Sequence, residues 1–161
     1  MTTDEVQTPA ITAATEAGLT FSVTVHGPVS SVAEAALARG VEVADVIKTI
    51  VVRRGDNDFL FILVPGDRVI SWPKLRALLG VNRLSLPSAA EAKDVTGYER
   101  GTITPFGSTT AWPVIADERI VGRTVALGGG AHGVSLRIAA DDVIAAVQAD
   151  VADVTDQEPI S

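Results

Sequence analysis

The chain contains no cysteine. That excludes disulfides, thiolate metal sites and a cysteine nucleophile, and it suits a reducing compartment. Histidine is nearly as scarce, with only His26 and His132. A metal hydrolase needs about three His, Cys or carboxylate ligands converging on the ion. Two histidines this far apart in sequence offer no such spacing, so no metal site is expected. There is no Gly-x-Ser-x-Gly elbow and no Walker phosphate loop, which argues against those two kinds of hydrolase. No carboxylate pair stands out as an acid/base couple. Aromatic residues make up only 4 % of the chain, so the core must be built from Val, Ile, Leu and Ala. No apolar run approaches the ~20 residues of a membrane helix. Met1 to Glu5 is polar and acidic, unlike a secretory signal. These absences lead to the expectation of a cytoplasmic protein.

What is present is a chain of 161 residues, 47 % of them hydrophobic, a size and composition that suit one folded domain. The net charge is −7, which disfavours a polyanionic partner at first sight. The charge is uneven, however. Residues 39–83 hold eight basic and five acidic residues, a balance of +3, whereas residues 1–38 balance to −4 and residues 84–161 to −6. Backbone binding to nucleic acid needs a local basic patch rather than a basic protein.

Along the chain, residues 1–18 read as an N-terminal extension, loosely attached and helical, ending at Gly18. Residues 19–152 read as the domain, and 153–161 as an acidic tail. Phe21 to Val25 alternates apolar and polar, a half-buried strand. Ser31-Val32-Ala33-Glu34 and Ser88-Ala89-Ala90-Glu91 have the form of capping boxes, opening helices that stop at Gly40 and near Gly97. Ile47 to Arg53 and Phe59 to Val64 form a hairpin across the turn residues 55–58. Pro73 starts a helix through Leu79. Short strands are predicted at 112–116, 124–127 and 136–138, and a last helix from Asp141 to Val147. Interleaved strands and helices with hairpins give a mixed α/β fold: a curved mixed or antiparallel central sheet with helices packed around it.

Three segments carry candidate chemistry. Lys48 enters the most apolar strand, where burying an ammonium is costly unless it faces a cleft or a partner; the plain reading is a lysine snorkelling at a strand end. Gly97 to Gly107 holds three glycines and Pro105, a loop able to present backbone N–H groups to a carbonyl oxygen, an oxyanion or a phosphate. Gly128 to Ser135 has four glycines in its first six residues, which lets backbone approach a ligand closely. Its Gly spacing mimics a dinucleotide loop, but it continues as strand rather than helix, which argues against that use.

In this order and spacing, the segments resemble the YbaK/EbsC family, free-standing relatives of the editing domain inserted in bacterial prolyl-tRNA synthetases. Val46 to Val51 is similar to the family's apolar-Lys-Thr-apolar strand. Gly101 to Gly107 resembles its Gly-x-x-x-Pro loop, and Leu127 to Ile138 its closing glycine loop and strand. Ser31 to Leu37 is similar to the helix before the lysine strand. The resemblance runs from near His26 to about Val151. It implies hydrolysis of the ester between a small amino acid, Cys or Ala for example, and tRNA, plausibly that for proline, without a metal or organic cofactor. It implies catalytic roles for Lys48, Gly101, Thr102 and Pro105. It places His26, Val29, Thr49, Gly107, Gly129, Gly130, His132 and Ser135 at the substrate. The partners it implies are the aminoacylated tRNA end and a synthetase, with no membrane and no DNA. The glycine loop departs from the more basic segment of the cysteine-removing members, which leaves the amino acid open. The alternatives are a non-catalytic module binding tRNA or a synthetase, and a hydrolase of other aminoacyl esters.

Overall fold

The computed structural model describes residues 6–159. Its centre is the expected hairpin. β2 (Ile47–Gly55) and β3 (Asp58–Pro65) pair antiparallel across a turn in which Asn57 takes φ +53°, a conformation Asn tolerates. β3 is buried on both faces with a period of two. Phe59, Phe61 and Leu63 enter one core cluster, and Leu60, Ile62 and Val64 the other, the pattern of a strand covered on both sides. β5 (Val114–Asp117) joins β3 in parallel and β8 (Asp150–Ala152) joins β5 in parallel, so the four-stranded sheet is mixed.

A second, antiparallel sheet contains β1 (Phe21–Val25), β7 (Val134–Ala139) and β6 (Thr124–Gly128) in that order. An isolated bridge between Val46 and Ala126 links the two sheets at the start of β2. The fold is mixed α/β as expected, with the strands divided between these sheets and a two-stranded ladder. In that ladder β4 (Arg68–Ile70) pairs with β9 (Thr155–Gln157).

The helices are α1 (Pro9–Glu16), α2 (Val32–Arg39), α3 (Trp72–Leu79), α4 (Ala89–Thr96) and α5 (Ala140–Ala146). Ser31, Ser71 and Ser88 cap α2, α3 and α4 by accepting from the third following N–H, each satisfying one free donor. The reciprocal half of the first capping box is displaced: the Glu34 carboxylate takes the Ser30 N–H and hydroxyl instead.

The two ends are packed against the domain where they are described. The extension is not loosely attached, because Ala10, Ile11 and Ala14 of α1 are buried in the main core. Small residues three and four apart make that helix face flat enough to seat closely. The acidic tail is packed where it begins. Val154 and Thr155 are fully buried, and the Asp117 carboxylate accepts from the Val154 N–H and the Thr155 hydroxyl. Residues 1–5 and 160–161 of those two segments lie outside the described residues.

Candidate active site

β2 is an edge strand, and its free edge defines the site. Arg53 exchanges both backbone bonds with Ser85, away from β3. The ladder from Ile47 to Arg53 is regular, and backbone direction alternates along an antiparallel pair. The N–H and C=O groups of Thr49 and Val51 therefore also face away from β3. Nothing among the described residues pairs with them.

A cavity of about 690 Å³ opens at that edge. Lys48, Thr49 and Ile47 form one wall, Val29 and the start of α2 a second, and Gly101, Ile103 and Gly128 a third. Arg39, at the end of α2, and Arg100 also line it. Three cations and no carboxylate line this cavity, in a protein of net charge −7. Two polar atoms in its lining, Thr49 Oγ1 and Arg39 Nε, are enclosed without a hydrogen-bond partner. Such atoms are rare and call for an explanation, of which a ligand is one. Burial pushes the Arg39 guanidinium below the ordinary arginine range.

The Lys48 ammonium donates to the Arg68 carbonyl at 2.5 Å. Burial pushes its pKa below the ordinary lysine value, while Glu158 and Asp67 pull it back up. Arg68 is itself fastened: its guanidinium donates to the Thr155 hydroxyl at 2.7 Å and to the Thr155 carbonyl at 3.2 Å. The lysine is thus seated on a carbonyl held by the C-terminal ladder.

A second cavity of about 440 Å³ shares Thr49, Arg100, Gly101 and Ile103 with the first. It continues along β2 past Ile50 and Val51 to Leu86 and the start of α4.

The structure brings together Lys48, Thr49, Val29 and Gly101 from the predicted set. It gives most of the others packing roles. A Cβ on Gly107, at φ +71°, would lie 2.5 Å from the Pro9 carbonyl oxygen. A Cβ on Gly130, at φ +88°, would lie 3.0 Å from the Tyr98 ring. The Gly129 carbonyl accepts from the Thr8 hydroxyl at 2.6 Å. These three glycines seat α1 and Tyr98. Pro105 lines a separate cavity with Ala13, Trp112 and Val147. Ser135 is buried on β7 opposite Gly128. His132 is exposed, its Nε2 3.2 Å from the Glu99 carboxylate. His26 Nδ1 lies 2.8 Å from the Gly27 carbonyl, and its Nε2 is enclosed without a partner. Thr102 is buried, and its hydroxyl and N–H both donate to the Glu99 carbonyl.

The loop therefore offers fewer N–H donors than its composition suggests, because those of Thr102 and Phe106 are already bonded. The close approach expected of the second glycine loop occurs at Gly128, where an added Cβ would lie 2.9 Å from the Ile103 carbonyl oxygen. What it admits is the first loop's backbone.

Arg39, Arg100 and Gly66 were not singled out from sequence. A Cβ on Gly66 would lie 2.3 Å from the Val43 carbonyl oxygen, so this glycine lets the β3–β4 turn pass beneath residues 43–46. Arg39 had no sequence signal beyond the local positive balance of residues 39–83, and Arg100, in an acidic stretch, had none.

The aminoacyl-tRNA editing domain model matches residues 26–146. The chain belongs to that family. Aminoacyl-tRNA editing domains also occur inside synthetases, and stretches of two proline–tRNA ligases are similar to this one. That from Heliobacterium modesticaldum is 37 % identical over 93 residues, 55 % of this chain and 16 % of the ligase. That from Bacillus licheniformis is 31 % identical over 94 residues, 58 % of this chain and 16 % of the ligase. The chain thus matches about a sixth of either ligase. Among solved structures, one provisionally described as a trans-editing enzyme for prolyl-tRNA synthetase aligns over 96 % of this editing domain's chain and 100 % of its own. The TM-score is 0.84 and the identity 26 %. A hypothetical protein aligns with the same TM-score and identity over 92 % of this chain and 100 % of its own.

Proposed function

We propose that this editing domain is a trans-acting deacylase that hydrolyses the ester between a wrongly attached small amino acid and the 3′-terminal adenosine of tRNA. The observation that carries the reading is the carboxylate-free cavity at the open edge of β2, with Arg39, Lys48 and Arg100 in its wall. The terminal phosphate of the RNA meets these charges. The aminoacyl ester then reaches the free main-chain groups of Thr49 and the rim at Gly101.

In the reaction, water adds to the ester carbonyl carbon and the bond to the ribose oxygen breaks. That oxygen leaves as a hydroxyl after taking a proton, and the amino acid leaves as its carboxylate. An aminoacyl ester is already activated, so no protein nucleophile is required. N–H donors aimed at the developing oxyanion supply the main stabilisation, and the ammonium of Lys48 adds a fixed positive charge nearby. The neighbouring ribose hydroxyl orients the water. Selection falls to the apolar part of the wall, Val29 and Ile47 among it. Such a pocket separates ligands by only about 1–3 kcal/mol per methylene, so it acts as a coarse sieve behind a synthetase. Alanine and cysteine fit it by size, and tRNA for proline is the first carrier to try because the similar ligases charge it.

The experiment is incubation of the full chain with alanyl-, cysteinyl- and seryl-tRNA for proline. At least one is expected to lose its amino acid well above the buffer rate, and Lys48→Ala to lower that rate at least tenfold with its melting temperature nearly unchanged. No release from any of the three removes the reading.

A further inference from the structure

The cavities that touch β2 number more than two. Beyond the Arg53–Ser85 bridge lies a third, of about 640 Å³, into which Arg53, Arg54, Arg76 and Arg83 project from three separate stretches of chain. Arg54 is engaged by Asp58, and Arg53 by Asp56 and, at 4.0 Å from its Nε, by Glu91. Arg76 and Arg83 have no ion-pair partner among the described residues. Arg53 Nε is enclosed without a hydrogen bond. The three acids nearby are thus outnumbered by four guanidiniums, two of which have no acidic partner among the described residues.

All three cavities touch the same strand: the first at residues 47–49, the second at 49–51, the third at 53–55. At about 3.3 Å per residue, Lys48 and Arg53 stand roughly 17 Å apart, a span for a few unpaired nucleotides rather than a duplex. Guanidiniums pair with phosphate oxygens through two N–H donors at once. Between the charged ends, Ile50, Leu86 and Pro87 line an apolar middle, the kind of surface against which bases settle.

We propose that the Arg53–Arg76–Arg83 cavity is a phosphate site for the RNA backbone, and that the single-stranded 3′ end runs along the β2 edge from it to Lys48. This rests on the deacylase reading for the identity of the RNA, but its test does not need turnover. A fluorescent RNA hairpin with an unpaired CCA 3′ end is titrated with wild type and with Arg76→Ala/Arg83→Ala. Both residues lie outside every ion pair found here, so the fold is expected to survive, which thermal melting checks. The double variant is expected to bind at least tenfold more weakly. Its plot of log affinity against log salt is expected to be shallower by about 1.4, two single-strand contacts at about 0.7 each. Arg76→Glu/Arg83→Glu is expected to lose more. Hairpin binding equal to wild type in both variants overturns the proposal, as does weakening with an unchanged salt slope. Absence of deacylation by the wild type, with hairpin binding lost in the variants, instead removes the deacylase reading and leaves this site standing.

Discussion

Lys48 is the residue whose chemistry most depends on its surroundings. Burial holds its pKa below the ordinary lysine value, so the ammonium is lost at a lower pH than that of a free lysine. If the charge supports turnover, activity corrected for spontaneous hydrolysis falls as pH rises through that depressed value. The alkaline limb is expected below pH 10.5, the ordinary lysine value. In Lys48→Arg, whose charge persists to higher pH, the limb should disappear from the range. Glu158→Gln removes a carboxylate that raises the lysine pKa and should move the limb to lower pH. A limb that ignores both substitutions would detach it from Lys48. Gly130 is a residue whose packing can be tested separately from any ligand contact, since its neighbours are Tyr98, Ala10 and Thr8. Gly130→Ala places a Cβ at φ +88° against the Tyr98 ring. It is expected to cost more than about 1 kcal/mol in urea unfolding, while the Michaelis constant of the surviving folded enzyme changes little.

At the level of elements, those with strong local signals were legible. The β-branched run of β2, the apolar run of β3 and the Ser and Gly helix boundaries each follow from chemistry within a few residues. β4 and β9 were not legible. Each is three residues long, Thr155-Asp156-Gln157 is polar, and their pairing joins positions about ninety residues apart, which no local pattern reports. The same limit applies to the site. Lys48 and Gly101 were readable as unusual residues in unusual places, whereas Arg39 and Arg100 become notable only when the fold brings them to one cavity. The β4–β9 ladder can be probed directly. Thr155→Val removes the hydroxyl that joins the Arg68 guanidinium to the buried Asp117 carboxylate. Leaving such partners short of a bond costs about 1–3 kcal/mol, measurable in urea, and Lys48-dependent activity should fall with it because Arg68 loses one of its two bonds to Thr155.

For the molecule as a whole, the net charge and the site have opposite signs. Acidic residues dominate the two ends of the sequence, and the basic middle is folded into a band along one strand edge. An acidic body discourages indiscriminate RNA binding, while the band attracts a polyanion locally. Deacylation at subsaturating tRNA should therefore decline steadily as potassium chloride is raised, although a protein of this overall charge would be expected to repel RNA less in salt. A rate that rises with salt would show that the body, not the band, governs encounter.

The seating of Lys48 also sets an order of events in the making of the protein. Every residue lining the first cavity has been synthesised by position 128. The carbonyl that receives the ammonium is secured only when residues 155–157 pair with 68–70. A nascent chain halted between those points would possess the pocket but not the fastening of its central charge. Competence would thus arrive only with β9, which makes the fastening of the central charge a later event than the closing of the pocket around it.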